Sequence, residues 1–192
     1  NTNQPTTTTP DPHSADLVTY VTTRVTDEYQ LFSRAVQYGF YDRVVQLIES
    51  DYQLASKPLD DNITLLHWAA INNRVDIAKY LVNKGAKIDA SGGVLNSTPL
   101  HWAVRDGKLD MVIFLLSYNA QAEIVDGEGE TRDFDHIVDS NFCFAGFSSI
   151  HLAAMFGHTA IVAYLIAKGQ DVNLPDRTGC TPLMHSVARN KS

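Results

Sequence analysis

One phrase returns along this chain with a period near 33 residues, and nothing else in the sequence constrains the fold as much. TLLHWAA at 64–70 recurs as TPLHWAV at 98–104, SSIHLAA at 148–154 and TPLMHSV at 181–187. The matched Leu66, Leu100, Ile150 and Leu183 stand 34, 50 and 33 positions apart. A second phrase follows each of the first three: VDIAKYLVNKGAKID (75–89), LDMVIFLLSYNAQAE (109–123) and TAIVAYLIAKGQDVN (159–173). A weaker, earlier copy is FSRAVQYGFYDRVVQLIES at 32–50. Self-similarity at this period predicts a solenoid, in which each unit buries its apolar face only by stacking on its neighbours.

Each phrase reads as a helix. Thr98 before Pro99 is a helix start: the hydroxyl caps free N–H groups, and proline fits the first helical position. Leu100, Ala103 and Val104 recur at helical spacing, and the small alanine lets two helices come close. Gly107 and Gly157, with Asn73 in the same place, suit a tight turn between helices. The second helix carries the larger Met111, Val112, Leu115 and Leu116. Gly85, Asn119 and Gly169 then suit a left-handed helix end. These phrases, from about Tyr29 onward, resemble the ankyrin repeat pattern TPLHxAAxxGHxxIVxxLLxxGAxVN. The resemblance implies an all-α solenoid of helix–turn–helix units linked by hairpin loops. Units fall at about 29–59, 60–92, 93–126 and 127–176, with a partial one at 177–192.

Composition sets limits on function. Apolar residues make up 44% and charged residues 19%, as in a folded soluble protein. The formal charge of -7 and the scattering of Lys and Arg argue against nucleic acid, which needs clustered positive charge. Cys143 and Cys180 make a poor disulfide framework, and neither sits in a CxxC or Cys/His cluster, so no zinc or other metal is expected. No apolar run reaches the roughly 20 residues that span a bilayer. No secretory signal opens the chain. No cofactor motif is present.

Three stretches depart from the period. The 50-residue interval exceeds 33 by 17, and the excess, ETRDFDHIVDSNFCFAG at 130–146, falls in a connecting hairpin. It reads either as a functional loop or as a retained in-frame intron, since FCFAG is what a pyrimidine-rich splice acceptor ending in CAG would encode. Residues 1–28 open with the Thr/Pro-rich NTNQPTTTTPDPHSAD and are expected to be a disordered lead-in. The last unit has its first helix but no second within the chain, so a longer protein is expected.

Beyond the general pattern, QYGFYDRVVQLIE, TLLHWAAINNRVDIAKYLVNKGA, GGVLNSTPLHWAVRDGKLDMV, DGEG and GHTAIVAYLIAKGQDV resemble one subfamily, the N-terminal ankyrin domain of the huntingtin-interacting DHHC palmitoyltransferases. In that family a cytosolic ankyrin domain precedes transmembrane helices and a zinc-binding Asp-His-His-Cys domain that carries the acyl-transfer cysteine. No DHHC tetrad occurs here, so this stretch is expected to be non-catalytic. The resemblance implies capture of extended Gln-Pro peptides from substrates such as SNARE, cysteine-string and huntingtin-like proteins. It implies a place on the cytosolic face of Golgi or vesicle membranes, with no membrane contact by this part. The family's peptide-gripping Asn and Trp map onto Asn72 in HWAAINN and Trp102 in TPLHWAV.

Physical chemistry supports the same pair. An indole offers a proline ring a flat surface and one N–H, and an Asn amide can both donate and accept. Trp68 repeats Trp102 one unit earlier, either for binding or to fill space. Asp106 could line the groove beside Trp102, and Tyr38 and Tyr41 could extend it. His67, His101 and His151 recur once per unit, which points to a structural role, and Met184 takes that place in the last unit. Asp106 and Asp110 stand four apart, but on an open surface a carboxylate pair lacks the closed pocket that acid–base catalysis needs. Two alternatives stay open: a generic ankyrin scaffold with another partner, and a free-standing enzyme acylated at a cysteine.

Overall fold

The computed structural model describes residues 30–127 and 146–189. The lead-in, Cys143 and all of the insertion but Gly146 lie outside the described residues. The chain builds helix pairs: α1 (30–38) with α2 (Tyr41–Ser50), α3 (Leu65–Ile71) with α4 (Val75–Asn83), α5 (Pro99–Arg105) with α6 (Leu109–Ser117), and α7 (Ser149–Met155) with α8 (Thr159–Ala167). A last helix, α9 (Pro182–Arg189), packs on α7. The described residues hold no strand, only an isolated bridge between Gly92 and Ser97. This is the all-α solenoid that the period predicts.

The stacking explains why each phrase repeats. First helices pack on first helices (α3 on α5, α5 on α7), and second helices on second helices (α2 on α4, α4 on α6, α6 on α8). On the first helices Leu66, Ala69, Ala70, Leu100, Ala103, Val104 and Ala153 are fully buried. The second layer is filled by an i, i+4 pair per unit: Val44 and Ile48, Ile77 and Leu81, Met111 and Leu115, Ile161 and Leu165. Each such side chain contributes about 1.5–3 kcal/mol by leaving water. On α9 the equivalent face is bare: Leu183 is 70% exposed where Leu100 is 0%.

The turns follow the local signals. Asn73 between α3 and α4 has φ 53°, and Asn119 after α6 has φ 64°; asparagine tolerates this left-handed region better than other side chains. The Thr98 hydroxyl caps as expected, accepting the His101 amide at 3.4 Å, and it also lies 2.9 Å from His101 Nδ1. The ring in turn receives the Thr98 backbone N–H at 3.0 Å.

Between units the chain folds into hairpins that close by the same bond. Leu59 N–H donates to the Ile63 carbonyl, Gly92 to Ser97, Asp126 to Phe147 and Asp176 to Cys180, at 2.6–3.0 Å. Asp126 and Phe147 stand 21 positions apart, Asp176 and Cys180 only 4. The difference between those spacings equals the whole insertion, so the extra residues enter and leave at a hairpin tip already closed at its base.

Candidate functional site

In the second and third units the first helix ends one turn beyond a tryptophan, so two positions recur along this face: Trp68 with Asn72 at the end of α3, then Trp102 with Asp106 at the end of α5. Stacking of α3 on α5 brings the indoles together, with centroids 5.9 Å apart and planes at 82°. The His67 ring also meets Trp102 edge-on at 5.2 Å. Hairpin 92–97 comes over Trp102 from the other side, since a Cβ placed on Gly93 would lie 3.4 Å from its Cζ2. Both indoles keep part of their surface in solvent. Asn72 closes α3 and donates from Nδ2 to the Trp68 carbonyl at 2.9 Å. Its side chain is thereby held beside the aromatic corner.

The remaining candidates divide. Asp106 caps the end of α5, half-exposed, with Lys108 Nζ 2.8 Å away. Asp110 lies across the turn in the first turn of α6, so the two aspartates are not on one helix. Tyr38 takes the place of Asn72 in the first unit, is 65% exposed and lies against Phe40. Tyr41 turns away to meet Tyr80 of α4. In the fourth unit the tryptophan position holds Leu152, which is fully buried, so the aromatic corner does not continue.

The histidines form a ladder beneath this face. Nε2 of His67 lies 2.9 Å from the Ser97 carbonyl, that of His101 2.9 Å from Ile124, and that of His151 2.9 Å from Leu174. A carbonyl only accepts, so Nε2 carries the proton, and Nδ1 accepts from the capping Thr or Ser. Burial therefore pushes the imidazoles of His67 and His101 down to about 4, and that of His151 down as well. Neutral rings with both nitrogens engaged tie each helix start to the next hairpin and leave no ligand atom free.

Models of ankyrin repeats match residues 32–126 and 150–192. The chain belongs to the ankyrin-repeat family. Its ankyrin region is also similar to that of named palmitoyltransferases. It is 49% identical over 151 residues to the putative palmitoyltransferase ZDHHC13 of Danio rerio, covering 79% of this chain and 21% of that protein. It is 50% identical over 154 residues to the palmitoyltransferase ZDHHC13 of Homo sapiens, covering 80% and 22%. Over 105 residues it is 51% identical to the palmitoyltransferase ZDHHC17 of Homo sapiens, covering 54% and 16%. The chain thus spans about a fifth of the length of these relatives. Among the described residues no helix is long and apolar enough to cross a membrane.

Two polar anchors of the ankyrin hairpins escaped the sequence reading. Asp126, 1% exposed, accepts from the Phe147 amide at 3.0 Å and from Arg105 at 3.1 Å. Burial pushes its carboxyl up, while the Phe147 amide and Arg105 oppose the rise. Asp176 accepts from the Thr178 amide and hydroxyl and from the Cys180 amide, and its other oxygen meets His185 Nε2 at 2.6 Å. The turn-forming run Pro175-Asp176-Arg177-Thr178-Gly179 was the available signal for the second. For the first, the insertion separated the partners.

Proposed function

We propose that this chain is the substrate-recruiting part of a protein S-palmitoyltransferase, capturing extended Gln-Pro peptides at the corner formed by Trp68, Asn72 and Trp102. The observation that carries the reading is the Trp68–Trp102 pair in an array half identical to named palmitoyltransferases. Two indoles at near right angles offer a proline ring both a floor and a wall. The tethered Asn72 amide keeps its oxygen for a Gln side chain or a peptide N–H. A proline-containing segment loses less entropy on docking than a flexible one. On this reading the array works on the cytosolic face of Golgi or vesicle membranes, and the acyl transfer belongs to a separate catalytic domain of a longer protein. SNARE-like, cysteine-string-like and huntingtin-like proteins are the substrates it would gather.

Titration calorimetry with a Gln-Pro peptide tests this. Trp102→Ala should weaken binding by about 2 kcal/mol or more, the loss typical of a central aromatic anchor, with helicity unchanged by circular dichroism. Asn72→Ala, which removes a partly exposed side chain, should also weaken it. Unaltered affinity in both variants would remove the site.

A further inference from the structure

The last hairpin gathers three groups that no other described hairpin holds. A carboxylate oxygen of Asp176, the Cys180 thiol sulfur and a ring nitrogen of His185 all lie within 4.8 Å of one another. We propose that Asp176, Cys180 and His185 form a binding site for a thiophilic divalent transition metal, Zn²⁺ being the fitting ion. This is independent of the peptide reading and of any zinc in a catalytic domain.

The hairpin needs little in order to close. All four hairpins close by the same backbone bond, yet the three matching positions hold Leu59, Ile63 and Trp68 in the first, and Gly92, Ser97 and Trp102 in the second. In the third they hold Asp126, Phe147 and Leu152. Neither a thiol nor an imidazole is required for the fold at these places. In the last hairpin a thiol and an imidazole join the carboxylate that the third already holds, giving one oxygen, one sulfur and one nitrogen.

The geometry fits a small ion. Zinc bound at about 2.0–2.3 Å in a tetrahedron sets its ligands roughly 3.3–3.8 Å apart. His185 Nε2 and Asp176 Oδ2 stand at 2.6 Å, sharing a hydrogen bond, so they need to open by under about 1 Å to admit the ion. The other Asp176 oxygen is fixed by Thr178 and the Cys180 amide, which orients the carboxylate and the base of Cys180 beforehand. Phe147 stands edge-on to His185 at 4.9 Å and walls one side. His151 is near but is not a ligand, because Ser148 and the Leu174 carbonyl occupy its nitrogens. Cys180 and His185 are half-buried, which leaves the fourth position to water or to a partner's side chain. A thiolate with an imidazole selects zinc or cobalt over the hard cations magnesium and calcium.

Cobalt titration of the reduced 192-residue chain tests the site. Wild type and Cys143→Ser should both develop a thiolate-to-Co²⁺ charge-transfer band and visible four-coordinate bands saturating at one equivalent, and Zn²⁺ should bleach them. Cys180→Ser should lose the charge-transfer band while keeping its circular dichroism, since the Cys180 backbone closes the hairpin. Zn²⁺ should raise the Tm of wild type relative to chain in EDTA, and leave Cys180→Ser and His185→Gln unmoved. A band that survives in Cys180→Ser, or its absence from folded wild type, would overturn the proposal.

Discussion

At the residue scale the histidine ladder matters most, because one side chain joins two units. His67 and His101 are fully buried and neutral, with pKa values near 4 against an ordinary value of 6.5. The unfolded chain therefore binds more protons than the folded one between those values, and stability falls as pH falls. The contribution is complete above about pH 6.5 and is lost on the way down to about 4. Each ring accounts for on the order of 3 kcal/mol over that window. Asp126 acts with the opposite sign, because its raised carboxyl pKa favours folding as the pH falls. Urea midpoints at pH 7, 5.5 and 4.5 should drop stepwise, and replacing His101 with Gln should flatten that fall while lowering the pH 7 midpoint. A midpoint constant over this range would contradict the neutral-ring assignment.

At the scale of elements, the hairpins tolerate change at their tips because their bases are closed by backbone bonds. Excising 130–146 leaves Gly129 joined to Phe147 and restores the spacing seen between Asp176 and Cys180. Loop-closure entropy falls by about 0.6 kcal/mol for each halving of length, so the shortened chain should gain about 1.5 kcal/mol. Circular dichroism and urea unfolding check this. Loss of helicity would mean that the insertion is part of the third hairpin's structure. The short first helices show the reverse dependence. Seven residues are too few to be stable alone; α3 and α5 persist because capping boxes hold one end, α7 has the Ser148–His151 side-chain bond there instead, and neighbours cover one face of each.

For the whole molecule, stability is a sum over units and the contacts between neighbours. Asp126 sits at the joint between the third and fourth units, holding Arg105 of one and Phe147 of the other. Asp126→Ala leaves a buried amide and a part-buried guanidinium without their acceptor, at a cost of about 2 kcal/mol or more. Both tryptophans lie before that joint. Fluorescence should therefore report the first three units while circular dichroism reports all of them. In wild type the two unfolding curves should coincide. In Asp126→Ala they should separate, with the signal from α7–α9 lost first. Coincident curves in the variant would show that the joint does not carry the coupling.

The sequence by itself determined the helices, their order, the turn residues, the Thr98 cap and the structural role of the recurrent histidines, because those signals act within four residues or recur at a fixed period. It also singled out Trp68, Asn72, Trp102 and Asp106. Only the tertiary structure decided which of these meet: the indoles close on one another while Asp106 turns to Lys108. It likewise paired Asp126 with Phe147 across the insertion, and Asp176 with His185 over nine positions. Such contacts depend on how one unit seats on the next, or on how a hairpin turns its tip back toward a helix. A linear pattern encodes neither, because what sets the distance is the closed backbone at the hairpin's base, not the number of residues in between.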